Sequence, residues 1–213
     1  MSYFVSEWNL EWVTNNPEVW LNELYHQMNR IVPIQHWSRK FEYPWIYTKG
    51  KFRRGEWVLD AGGGSAPFQY FLRLTECQVI NVDLEKEGAQ ADKVAYVQGD
   101  LKSLPFIDNI FDKVVCCSVL EHIVEPEKVV HELWRVLKPG GILVGSFDVA
   151  DYYRWNHTID YGVTSNLLKL FHCYLPSFPL KISKMKFPEI ERKEDDLTEV
   201  ELAVLCFSFT KPL

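Results

Sequence analysis

The sequence predicts an α/β fold in which a mostly parallel sheet carries helices on both faces. Three observations predict it. From Glu56 onward, short apolar runs alternate with helical stretches, the rhythm of parallel strands joined by crossover helices. Three consecutive glycines, in "DAGGGSA" at residues 60–66, directly follow the first of those runs, where a strand turns into a helix. The chain has 213 residues and 47% hydrophobic content, enough for one sizeable core.

Taken in order, "EWVLD" reads as the first strand and "PFQYFLRL" as a helix with Pro67 near its start. "CQVINVD", "KVAYVQGD" and "FDKVVCCS" read as the second, third and fourth strands. "EPEKVVHELWRVLKPGG" is a helix with Pro126 at its start and an apolar face of Val129, Val130, Leu133, Val136 and Leu137. Lys138 falls in its last turn, and Pro139-Gly140-Gly141 stops it. "ILVGSFDV" is the fifth strand. "TSNLLKLFHCYL" reads as a further helix, and "LKISKMKF" and "VELAVLCFSFTK" as two closing strands around an acidic turn.

Residues 1–54 read as a helical, aromatic-rich cap on a domain spanning 55–213. Six of the eight tryptophans lie in the first 57 residues. Asn16-Pro17 marks a helix start, and Trp20, Leu24, Met28 and Ile31 form a helical stripe of core residues, with Pro33 and Pro44 breaking up the stretch after it. Residues 35–54 carry Arg39, Lys40, Lys49, Lys51, Arg53 and Arg54 against one acid, Glu42. They suit either an anionic substrate or a solvated face. "FEYPWIYTKG" suits either an aromatic lid or glue between cap and sheet.

Composition excludes several classes. A net charge of −6 disfavours nucleic acid as partner. Five cysteines without a C-x-x-C read as reduced thiols of a cytoplasmic protein with no zinc site. The N-terminus lacks the basic-then-apolar pattern of a signal peptide. No apolar run approaches the ~20 residues of a membrane span.

The glycine loop places bare backbone beside a helix N-terminus. It is no dinucleotide fingerprint, because the third position of G-x-G-x-x-G is Pro67, and no G-x-x-x-x-G-K-[ST] occurs. A nucleoside without phosphate fits better. Asp83 ends the second strand, where its two oxygens suit ribose hydroxyls, and Asp100 ends the third, where it suits an adenine amine. Asp60 ends the first and suits a cationic amino group. Three carboxylates around one crevice repel phosphate and favour a cation.

"VLDAGGGSA", "VINVD", "GDL", "SVLEHI" and "ELWRVLKPGGILV", in this order, resemble a class I S-adenosylmethionine-dependent methyltransferase. The similarity is to the small-molecule branch with the LEH…RVLKPGG signature and covers roughly Glu56 to Asp148. The resemblance implies a Rossmann-like seven-stranded sheet with a reversed last hairpin. It implies S-adenosyl-L-methionine as cofactor and S-adenosyl-L-homocysteine as product. Gly62, Gly63 and Gly64 would run along the methionine part, Asp83 with Leu84 would bind ribose, and Asp100 with the Leu101 backbone would hold adenine. Ser118 would lie near the sulfonium and a small-molecule acceptor. Ala66 replaces the last glycine of the family's G-x-G-x-G. Relatives acting on catechol-like quinone precursors hold a metal with a glutamate at the Ser118 position and a Glu-His pair. Glu121 and His122 are present but that glutamate is not, so no metal is expected.

Methyl transfer needs alignment and water exclusion more than a fixed triad. His122 is the candidate base near the fourth strand, beside a reading as a structural histidine. "YYRWNHTIDYG" follows the fifth strand and offers Tyr152, Arg154 and Asp160 for substrate and His157 for catalysis. A non-catalytic member of the same fold, or a macromolecular acceptor, is the alternative. The acceptor atom and the oligomeric state are not written in these motifs.

Overall fold

The computed structural model describes residues 7–13, 19–36, 38–85, 94–150 and 202–213. In chain order the elements are β1 (Glu7–Val13), α1 (Val19–Ile31), α2 (Arg39–Gly50), β2 (Trp57–Ala61), α3 (Phe68–Leu74) and β3 (Gln78–Asp83). They continue with β4 (Ala95–Gln98), β5 (Phe111–Cys117), α4 (Pro126–Val136), β6 (Leu137–Ala150) and β7 (Leu202–Thr210). The described strands form one sheet in the order β1-β7-β6-β5-β2-β3-β4. The pairs β4–β3, β3–β2, β2–β5 and β5–β6 are parallel, while β6–β7 and β7–β1 are antiparallel. The sheet is therefore mixed and mostly parallel, as expected.

Strand alternation sorts the core onto two faces. Leu59, Ala61, Val114, Cys116, Leu143 and Phe207 pack in one cluster with Val129, Leu133 and Val136 of α4. Val58, Val115, Val144 and Cys206 point the other way, into a cluster with Met28 of α1, Tyr43 and Trp45 of α2 and Phe71 of α3. Cys77, Cys116 and Cys206 are buried. No helix among the described residues is long and apolar enough to cross a membrane.

Four details differ from expectation. Glu7–Val13, expected within a helical cap, is a strand paired with β7. Its sequence explains why: Glu7-Trp8-Asn9-Leu10-Glu11-Trp12 alternates polar and apolar with period two. The expected closing strand "LKISKMKF" lies outside the described residues, and β1 flanks β7 in this sheet. Pro44 does not break the chain but sits inside α2. A mid-helix proline costs ~3 kcal/mol, whereas burial of Tyr43, Trp45 and Ile46 contributes roughly 1.5–3 kcal/mol per side chain. Thr48 Oγ1 also donates to the Pro44 carbonyl at 2.8 Å.

Ile31, expected in the α1 core stripe, is 56% exposed, while Met28 is buried and Leu24 half-buried. Lys138 lies in β6 rather than in the last turn of α4, and its Nζ reaches Asp112 Oδ1 at 2.6 Å. Lys211, from just beyond β7, reaches the end of α4, where its Nζ donates to the carbonyls of Trp134 and Leu137 at 2.7 Å.

Candidate functional site

β2 leads outward to β3 and β4 on one side, and β5 and β6 lie on the other. The crevice between the carboxyl ends of β2 and β5 is the switch point where open α/β sheets bind ligands. The glycine loop fills its mouth. Gly62 has φ +72°, and a Cβ there would meet Val119 Cγ2 at 2.7 Å, across the crevice after β5. A Cβ on Gly63 would stand 2.0 Å from Asp60 Oδ2 and 2.9 Å from Asn81 Oδ1. The loop is pinned through Gly64, whose N–H donates to Asp83 Oδ2 at 3.0 Å. The Gly64 carbonyl accepts from Asn81 Nδ2 at 2.8 Å and Gln69 Nε2 at 3.0 Å.

Asp60 is 3% exposed. Its Oδ2 and Asn81 Oδ1 are buried acceptors with no hydrogen-bond donor among the described residues. Burial pushes the Asp60 carboxyl up; Gln69 opposes this and the Asp83 charge adds to it, leaving the group at about 7. Two acceptors aimed at one glycine, one of them a buried carboxyl, are suited to a cationic donor.

Asp83 Oδ1 accepts the Glu85 N–H at 3.1 Å. Each carboxylate oxygen has a second lone pair, so both can accept further hydroxyls. Leu84, 65% exposed, follows it at the rim. Asp100 lies beyond β4, where its Oδ1 caps the Lys102 N–H at 2.9 Å, and Leu101 is buried beside it. The acids thus stand at successive strand ends, as the sequence reading expects. His122 is exposed on a 3-10 turn, Leu120–His122, after β5. Tyr152, Arg154, His157 and Asp160 lie outside the described residues. Among the described residues, no group of three or more His, Cys, Asp or Glu is arranged to hold a metal ion.

Ser118 is engaged by residues that the sequence reading left out of the site. Its backbone is left-handed, with φ 50°. Its hydroxyl lies 2.6 Å from Glu42 Oε1 and 2.5 Å from Arg39 Nη1, donating to the first and accepting from the second. Glu42 is fully buried and also accepts from Ser146 and, at 2.6 Å, from Ser38. It forms an ion pair with Arg39. Burial pushes the Glu42 carboxyl up, but Arg39 and the Ser118, Ser146 and Ser38 hydroxyls outweigh it and hold it below the ordinary glutamate range. The only signal in sequence was a lone acid among six bases and several aromatics in residues 35–54.

Comparison with known proteins bears on the fold and the family. Residues 59–145 match the family described as methyltransferase domain. The chain is 32% identical over 176 residues to a sterol 24-C-methyltransferase from Eremothecium gossypii, covering 68% of this chain and 45% of the relative. It is 35% identical over 106 residues to the ubiquinone/menaquinone biosynthesis C-methyltransferase UbiE of Yersinia pestis, covering 43% and 42%. The chain thus spans less than half the length of these curated relatives. Phosphoethanolamine N-methyltransferase 2 of Haemonchus contortus, solved with S-adenosyl-L-methionine, shares the fold. Its TM-score is 0.61 at 17% identity, over 90% of this chain and 57% of that one. Sheet order and sequence match converge: residues 59–145 are a methyltransferase domain, similar to the class I S-adenosylmethionine-dependent methyltransferases.

Proposed function

We propose that the protein transfers a methyl group from S-adenosyl-L-methionine to carbon of a small apolar acceptor, releasing S-adenosyl-L-homocysteine. The observation that carries this reading is the buried Asp60 Oδ2 without a donor, facing the bare backbone of Gly63. A nucleoside with an ammonium-bearing tail fits these residues and a phosphate does not. Asp60 takes the ammonium and Gly62 to Gly64 flank the tail. Asp83 accepts the ribose hydroxyls beside Leu84, and Asp100 with the Leu101 backbone holds the adenine. When bound, the sulfonium supplies an activated methyl with a good leaving group. The protein's part is to orient the acceptor, exclude water and take up a proton.

His122, just beyond β5, is the proton acceptor of this reading. Tyr152, Arg154 and Asp160 are the substrate residues and His157 the second catalytic residue of this reading, which the sequence after β6 supports. The two curated relatives above are named as C-methyltransferases of a sterol and of quinone biosynthesis. Those names support carbon as the acceptor atom and an apolar acceptor.

Calorimetric titration with S-adenosyl-L-homocysteine, beside NAD and an Asp83→Ala control, tests the reading. Micromolar affinity, about −8 kcal/mol, lost in the variant and absent for NAD, is the expected result. Equal affinity in Asp83→Ala would remove the site assignment, and no binding at all would remove the activity.

A further inference from the structure

Arg39 occupies an unusual position. It begins α2, yet its Nη1 reaches Ser118 at the carboxyl end of β5. Its guanidinium lies 5.9 Å from the centroid of the Tyr43 ring, and Tyr43 in turn feels the charges of both Arg39 and Asp60. The crevice therefore holds a buried acid with one oxygen lacking a donor and a fixed cation. Neither forms an ion pair with the other among the described residues.

Glu42 explains how the cation is fixed. Among the described residues, the hydrogen bonds of Arg39 run from Nη1, to Ser38, Glu42 and Ser118. A guanidinium has five N–H donors, and the Nε–Nη2 edge suits two carboxylate oxygens at once. The Arg39 side chain is 22% exposed while Glu42 is fully buried. The ion pair thus anchors one edge of the guanidinium and leaves the group partly accessible.

We infer that Arg39 is a carboxylate-binding residue of this site: with Asp60 it brackets the zwitterionic amino-acid end of the cofactor. Asp60 takes the ammonium, Arg39 takes the carboxylate, and Glu42 positions Arg39. The inference rests on the cofactor reading above and adds the group that recognises the tail. It gives the buried Glu42 a task. A buried ion pair contributes little net stability over apolar packing, but it fixes the direction of a charge-assisted contact.

The test compares S-adenosyl-L-homocysteine with its decarboxylated analogue by calorimetry on the full chain. Removing Arg39 alone strands a buried carboxylate, so the variant is the pair Arg39→Met and Glu42→Gln, with folding checked by thermal unfolding. Wild type is expected to prefer the intact ligand by about 10- to 100-fold. The paired variant should lose that preference. Asp60→Asn should bind both ligands more weakly and keep it.

Wild-type binding without a preference would overturn the Arg39 assignment while leaving the cofactor in place. So would a folded paired variant that keeps the preference, or one that weakens both ligands equally. Failure of wild type to bind either ligand would overturn the cofactor reading as well.

Discussion

Glu42 on α2 accepts a hydrogen bond from Ser146 on β6, a residue 104 positions further along the chain. The bond crosses from the N-terminal segment to the carboxyl end of a central strand. With Ser118 donating to the same Oε1 and Arg39 to Oε2, it welds α2 to the floor of the crevice. α2 is therefore held against β5 and β6 by a carboxylate as well as by aromatic packing.

Glu42→Ala should destabilise the protein by about 3–5 kcal/mol, because Arg39 and the hydroxyl donors lose their common acceptor. Glu42→Gln keeps an acceptor oxygen and the shape, and should cost less. Urea unfolding of both variants gives the comparison. A loss below about 1 kcal/mol in the alanine variant would mean that the cluster behaves as a surface ion pair.

Asp60 makes the protein without cofactor pH-sensitive. Its folded value of about 7 lies above the ordinary 3.8. The native state holds this proton more tightly than the unfolded chain. Stability from this group is fully present below the ordinary value and is lost as pH rises through about 7. At 1.36 kcal/mol per unit, the loss is on the order of 4 kcal/mol at most. Asp60→Asn should flatten this slope and melt higher than wild type at pH ~8.

Cofactor affinity should run the opposite way. An ammonium favours ionised Asp60, so wild type should bind S-adenosyl-L-homocysteine more tightly as pH rises from ~6 to ~8. Asp60→Asn should lose that dependence. Melting curves and titrations across this range read both effects, and a wild type whose affinity ignores pH would separate Asp60 from the ammonium.

The central sheet was legible because its signals are local. Val58–Asp60 runs into the glycine turn, Asp83 ends an apolar run, and Pro126 opens an amphipathic helix. The Glu42 cluster was not legible, since Ser38, Arg39, Ser118 and Ser146 meet only after the sheet is assembled. A glutamate between Phe41 and Tyr43 gives no sign that it will be buried. β1 carried a readable period of two, but the density of tryptophan and the nearby Asn16-Pro17 helix signal drew the reading toward a helical cap.

Gly63→Ala tests the closeness of the loop. Its Cβ would stand 2.0 Å from Asp60 Oδ2 and 2.5 Å from Asp60 Cγ, so the carboxylate or the loop must move. Overpacking of this kind costs typically ~1–3 kcal/mol. The variant should also lose cofactor affinity, because Asp60, proposed to receive the ammonium, is displaced. Calorimetry and thermal unfolding on the same preparation check both parts. Wild-type affinity in this variant would show that the tail does not pass Gly63.

Ser118 separates backbone strain from hydrogen bonding. Its φ of 50° is left-handed, which costs a non-glycine residue roughly 1–2 kcal/mol. The hydroxyl bonds to Glu42 and Arg39 accompany this turn, and we expect the surrounding fold to impose it. Ser118→Ala and Ser118→Gly both remove the hydroxyl, but only glycine removes the strain. Both should therefore be less stable than wild type, with the glycine variant above the alanine variant by about 1 kcal/mol. Denaturant unfolding of the pair measures that difference directly. Equal stability would mean that the β5 end relaxes once the hydroxyl is gone, and that the Glu42 cluster, rather than the surrounding fold, imposes the left-handed turn.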